Sequence, residues 1–232
     1  MSKVVLVGIT KPSAYTGCNT ANELVAYTAR VSNPGNQNNT ETAPKLLSYL
    51  IRNAHFSPFE MVSLTMEITT TRDISRQILR HRSFSFQEFS QRYAESTKFS
   101  TREARLQDPK NRQNSIELDL EDYGKGGEGQ FSDSKTRLAE TWRMKQREII
   151  NKSREIYEWA LNNGIAKEQA RAVLPEGNTE TVLYMAGTLR SWVHYCELRR
   201  ANGTQKEHMV VANQCWDIIR EHFPSVAEAL NA

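Results

Sequence analysis

The chain has 232 residues and a mass of 26.6 kDa, with 38% hydrophobic and 25% charged residues and a mean hydropathy of −0.63. That is the composition of a water-soluble globular protein long enough to bury a sizeable core, which excludes a peptide hormone, a disulfide knot and a disordered linker. Thirty basic residues against 27 acidic ones leave a net charge of +3, too balanced for a polyelectrolyte binder, so an anion site must be local.

Val4 to Ile9 is a short β-branched run closed by Thr10-Lys11-Pro12 and predicts a buried strand. Its apolar part is too short for a signal peptide, and no later apolar run approaches the roughly 20 residues that span a bilayer, so a cytoplasmic protein without a membrane partner is expected. Asn19–Arg30 and Pro44–Arg52 predict helices on either side of the turn residues Ser32-Asn33-Pro34-Gly35-Asn36. Val62 to Thr70 alternates Val62, Leu64, Met66 and Ile68 against Ser63, Thr65, Glu67 and Thr69, the pattern of a strand with one wet face. Arg72, Arg76 and Arg80 then follow at i, i+4 and i+8 with Ile74, Ile78 and Leu79 on another face, which predicts a helix. Phe86, Phe89 and Tyr93 continue at helical spacing.

From Lys110 to Ser134 apolar content falls, predicting an exposed loop or insertion with only Ile116, Leu118 and Leu120 as a short strand. Thr136–Leu161 predicts a helix ended by Asn162-Asn163-Gly164, and a second helix stops at Leu174 before Pro175. Helices over Thr181–Arg200 and Lys206–His222 complete the chain. The expected fold class is α+β, a small mixed or antiparallel sheet with a helix-rich second half, in a single domain over residues 1–232.

Like charges at i, i+4 repel by about 0.2 to 0.5 kcal/mol per pair, so the arginine row calls for an anion or for carboxylates. Asp73 is one candidate to relieve it, through Arg76 or Gln77. Arg80, His81, Arg82, Ser85, Gln87, Glu88, Ser90 and Arg92 all fall within the thirteen residues from 80 to 92, a denser set of polar groups than a packing helix requires. Glu88 and Arg92 at i, i+4 read otherwise as a surface pair worth about 0.3 kcal/mol.

Arg80-His81-Arg82, Ser85, Glu88, Ser90, Arg92 and Tyr93 in RHRSFSFQEFSQRY resemble the RHRxxSxxExSxRY signature of the flavin-dependent thymidylate synthases. Ala29-Arg30-Val31-Ser32, the run His55-Phe56-Ser57-Pro58-Phe59-Glu60, Ala170 to Pro175 and Gly187 to Arg199 agree with the same family in the same order. The resemblance implies that family's fold and a homotetramer with sites at subunit interfaces. It implies FAD reduced by NADPH, and transfer of the methylene of 5,10-methylenetetrahydrofolate onto dUMP to give dTMP. By position it implies flavin contacts from Ser32, His55, Ser57, Arg80, His81, Arg82, Glu88, Thr188, Leu189, Arg190 and His194. It implies nucleotide contacts from Gln77, Arg80, Glu88, Phe89, Ser90, Gln91, Arg92, Arg171 and Arg199, with Arg199 favouring ionisation at N3 of the uracil and Ser90 touching the base. Met61 stands where a second histidine often follows SPFE, and Gln87 where asparagine is common, so those two contacts are not carried over.

The residue chemistry points the same way. Bidentate arginines suit phosphates. Methylating uracil at C5 usually starts with a cysteine attacking C6, yet Cys18, Cys196 and Cys215 all lack an electropositive setting and form no CxxC pair or metal-ligating pattern. A route without cysteine depends on a guanidinium that stabilises charge developing on the uracil carbonyls. At 100° per residue Arg190 and His194 share one helix face and Arg199 lies opposite, so one helix serves two pockets, an arrangement natural at a subunit junction. The alternative from another class is a single-stranded nucleic-acid-binding module built on residues 72–93, with Phe and Tyr as stacking platforms. The GxGxxG match at Gly124–Gly129 lacks a βαβ frame and reads as a loop.

Overall fold

A computed structural model describes residues 2–118 and 134–231. Its main sheet has four strands, β1 (Lys3–Ile9), β2 (Ser63–Thr71), β3 (Ser85–Glu88) and β6 (Glu180–Thr188), in the order β1-β2-β6-β3 and antiparallel throughout. The short strands β4 (Arg105–Gln107) and β5 (Ser115–Glu117) form a separate hairpin, so of the expected short strand Ile116 lies in β5 and Leu118 falls just beyond it. Leu120 and the glycine-rich motif lie outside the described residues.

The alternation of Val62–Thr70 decides which way the sheet faces. Leu64, Met66 and Ile68 of β2 are fully buried and sit opposite Gly187, Met185 and Leu183 of β6. Helices α1 (Ala21–Ala29), α2 (Ala43–Arg52), α6 (Leu189–Arg200), α7 (Lys206–His222) and α8 (Pro224–Asn231) close over that face, placing Val25, Leu47, Trp192, Val211 and Phe223 in one core. Thr20 and Glu23 form a capping box that starts α1, and Pro44 pre-sets the first turn of α2. On the opposite face Glu67 of β2 faces Tyr184 of β6, and Val5 and Val7 of β1 are exposed. The long α4 (Ser134–Asn162) packs with α5 (Lys167–Ala170) around a second small cluster of Tyr157, Ala160, Ala170 and Leu174.

Three expectations are corrected. Residues 181–188 are strand and not the start of a helix, because Thr181, Leu183 and Met185 alternate with Val182, Tyr184 and Ala186 in a strand paired on both sides; the helix starts only at Leu189. The helix after β2 is α3 (Arg72–Ile78), which ends before Arg80. Phe86 belongs to β3, where it faces Met185, so Phe86, Phe89 and Tyr93 form no helical stripe. A further helix, α8, follows His222, with Pro224 at its first position.

Candidate active site

The expected ligand residues fall into three clusters. The first lies where the turn after α3 meets α6 and α7. Arg199 Nε donates to His81 Nε2 at 2.9 Å, and the His81 ring stands edge-on to Tyr195 at 4.9 Å. A guanidinium only donates, so His81 Nε2 is a bare acceptor and the ring is neutral with its proton on Nδ1. Burial, then Arg199 and Arg80, push the His81 pKa down to about 4. Gln77 lies in the same cluster, bonded to Gln205 at 2.7 Å and to His208 at 3.3 Å. Phe84 packs edge-on against Trp192 and Tyr195, with ring centroids 4.8 and 5.9 Å away, and fixes the turn that presents Arg80 to Arg82.

The second cluster joins the loop before β2 to the first turns of α6. Arg190 pairs with Glu60, the His194 ring packs on Phe56 at 4.6 Å, and His55 stands beside Tyr49 at 6.2 Å. Thr188 caps α6 by accepting from Ser191 N–H at 3.3 Å. Leu189 is fully buried, so its reach to a ligand is through its main chain only. Ser57 is exposed in the same loop, and Ser32 is exposed in the turn after α1. The neighbouring Arg30 is 7% exposed and holds that turn, donating to Thr42 Oγ1 at 2.7 Å and to the Asn39 carbonyl.

The third cluster follows β3. Arg92 Nε donates to Glu168 Oε2 at 3.1 Å and Arg171 Nε to the Glu168 carbonyl at 3.3 Å, which brings those two expected nucleotide contacts to one residue. Ser90 Oγ accepts from Arg92 N–H at 3.3 Å, and the Phe89 carbonyl accepts from Arg72 at 3.4 Å. Gln91 is buried with its amide on Ser96 Oγ at 2.8 Å, leaving its main chain for a ligand. Glu88 makes no pair with Arg92. Its Oε1 accepts from Ser75 at 2.9 Å and Thr181 at 3.0 Å and lies 3.6 Å from the buried Arg72. Asp73 relieves neither Arg76 nor Gln77. It binds Arg102 at 2.5 and 2.6 Å, while Glu176 neutralises Arg76.

The arginines of the 72–92 run and of the expected ligand set therefore sort into two groups. Arg72, Arg76, Arg92 and Arg190 are matched by the chain's own carboxylates, whereas among the described residues Arg80, Arg82, Arg171 and Arg199 form no ion pair. His208, Tyr195 and Gln205 were not expected at the site. A lone histidine between Glu207 and Met209 in a helix carries no periodic signal, and only the packing of α7 on α3 brings it to Gln77.

Residues 14–225 match the family described as thymidylate synthase complementing protein. The chain belongs to the flavin-dependent thymidylate synthases, a family of methyltransferase enzymes. It is 49% identical to a probable flavin-dependent thymidylate synthase of Paramecium bursaria Chlorella virus 1 over 97% of both chains. It is 50% identical to the flavin-dependent thymidylate synthase of a Synechocystis species over 89% of this chain and 88% of that one. Among solved structures, the UMP/dUMP methylase PolB from Streptomyces cacaoi bound with 5-Br dUMP superposes with a TM-score of 0.80 at 27% identity, covering 100% of this chain and 95% of the other. The nucleic-acid-binding alternative is not supported: the family is enzymatic, and Arg72, Arg76 and Arg92 of its supposed stripe are held by Glu88, Glu176 and Glu168.

Proposed function

We propose that the chain converts dUMP to dTMP with 5,10-methylenetetrahydrofolate as carbon donor and FAD reduced by NADPH. The observation that carries this reading is that Arg80, Arg82, Arg171 and Arg199, four of the six arginines in the expected ligand set, form no ion pair among the described residues and are left for an anion, two of them in the RHR run. Exposed guanidiniums at Arg80 and Arg82, together with exposed donors in the His55–Ser57 loop, are the groups that a dinucleotide's phosphates require, so the residues present fit FAD. Bound there, FAD supplies the reducing equivalents that turn a transferred methylene into a methyl group.

The chain's own residues bind and polarise. Arg199 spends Nε on His81, which leaves both Nη ends of the fork to meet the uracil and stabilise negative charge on its carbonyls. His81, neutral, keeps Arg199 in place without adding a competing positive charge. Arg92 and Arg171, gathered at Glu168, would take the nucleotide's phosphate, and Ser90 and Gln77 would offer hydrogen bonds to the sugar and base. Cysteine attack is not available to Cys196 or Cys215, since both are buried and burial pushes their thiols up.

The same reading includes a homotetramer. Arg190 and His194 face the Phe56–Glu60 loop while Arg199 faces His81, so α6 serves two pockets. Val5, Val7 and Tyr184 on the outer sheet face, with Trp142, Met144 and Trp159 on α4, are the exposed apolar surfaces that subunits would cover. Among the described residues no helix is long and apolar enough to cross a membrane, and the proposed location is the cytoplasm.

Purified protein should carry a flavin absorbance spectrum, oxidise NADPH in a dUMP-dependent manner, form dTMP when the folate is also present, and sediment at four times the 26.6 kDa chain mass. A colourless protein that makes no dTMP after loading with FAD would overturn the reading, and a fully active monomer would remove the tetramer from it.

A further inference from the structure

A directed chain of hydrogen bonds runs behind Gln77. Arg105 Nη2 donates to Glu207 Oε1 at 2.7 Å, and Gln205 Nε2 donates to Glu207 Oε2 at 2.9 Å. A carboxylate only accepts, so the amide of Gln205 is oriented by it, and Gln205 Oε1 is left to accept from Gln77 Nε2 at 2.7 Å. Gln77 Oε1 must then accept from His208 Nδ1 at 3.3 Å, and the bare Nε2 of His208 accepts from Tyr195 Oη at 3.1 Å. The direction of every bond, both amide orientations and the histidine tautomer follow from the Arg105–Glu207 ion pair at one end. His208 is fully buried, and burial, then Arg199 and His81, push its pKa down to about 3, so the ring holds a single proton for Gln77. Burial likewise pushes the Tyr195 phenol well up, which keeps its proton for the histidine.

We propose that His208 is a positioning residue that acts through Gln77, locking its amide so that an N–H faces the bound pyrimidine nucleotide and takes an acceptor oxygen. Gln77 Nε2 has two hydrogens. One is held by Gln205 and the other is free to point into the site, while Oε1 is turned back to His208. Flipping the amide would break both bonds at once, so Gln77 is a fixed donor. This inference rests on the reading of Gln77 as a nucleotide contact. His208 itself touches no substrate.

The test uses the FAD-loaded enzyme and four variants, His208→Leu, Gln77→Leu, their double and His208→Asn, whose side-chain N–H takes the place of ring Nδ1. His208→Leu and Gln77→Leu should each raise KM for dUMP about tenfold, the effect of one hydrogen bond to a ligand, with kcat within about twofold and flavin absorbance retained. The double variant should be no worse than Gln77→Leu alone, and His208→Asn should restore KM. If His208→Leu does not fold, Gln205→Leu cuts the other bond of the same amide and carries the same expectation. An unchanged KM in His208→Leu beside a raised one in Gln77→Leu, or effects that multiply in the double variant, would overturn the positioning role. An unchanged KM in Gln77→Leu would instead remove Gln77 from the nucleotide site, and the proposal with it.

Discussion

Arg199 and His81 form a pair in which a permanent cation donates to a histidine lone pair, Nε to Nε2 at 2.9 Å. The contact exists only while His81 is neutral, and the two residues come from parts of the chain 118 positions apart, one on α6 and the other in the turn after α3.

Arg199→Ala therefore has two separable consequences. Loss of the group that would stabilise charge on the uracil should lower turnover by about a hundred- to a thousandfold while flavin stays bound. With a neighbouring positive charge gone, the His81 pKa should also rise from about 4 toward its ordinary value, which proton NMR of the ring would report. Normal dTMP formation by this variant would contradict the assignment.

Two histidines held neutral make the fold acid-sensitive above the usual carboxylate range. The unfolded chain binds a proton at each near pH 6.5, whereas His81 and His208 in the folded chain do so only at about 4 and about 3. Between those limits the unfolded state holds more protons, so stability is full above pH 6.5 and falls as pH drops. The melting temperature should fall from pH 7 to pH 5, and His208→Asn should remove part of that slope. A melting temperature constant across this interval would show that neither ring is held neutral.

Gly187 faces Leu64 across β2, and a Cβ there would meet the Phe84 ring, with Cε1 only 2.7 Å away. Phe84 is wedged against Trp192 and Tyr195 and has nowhere to go without moving α6. Gly187→Ala should cost about 1 to 3 kcal/mol in denaturant unfolding, as overpacking does, and combining it with Phe84→Ala should cost less than the two single effects added. Additive losses would mean that the two residues do not meet.

Much of this was legible in the sequence. The period-two run at Val62–Thr70 appears as β2 with its buried and wet faces as read, and two of the motif segments meet where Arg199 of α6 donates to His81 of the RHR run. Pairing was less visible. Thr181 to Thr188 lies next to a strong helical pattern, and only strands on both sides show that it is β. Phe86 and Phe89 are three apart, a spacing that suits a helix as well as a strand followed by a turn. The carboxylates that neutralise Arg76 and Arg92 come from 100 and 76 residues away, beyond anything local spacing reports.

Arg72 and Glu88 show where a motif residue has a structural duty before any ligand arrives. Arg72 is 9% exposed and Glu88 Oε1, 3.6 Å from its guanidinium, also accepts from Ser75 and Thr181. Glu88→Leu would leave the arginine buried without its counter-charge and two hydroxyls without their acceptor, a loss of about 3 to 5 kcal/mol. Replacing both, as Arg72→Met with Glu88→Leu, removes the stranded charge and should recover most of that stability without recovering dTMP formation. Chemical denaturation of the two variants checks this: if the double variant is as unstable as Glu88→Leu, the cost lies in the hydroxyls and not in the buried guanidinium.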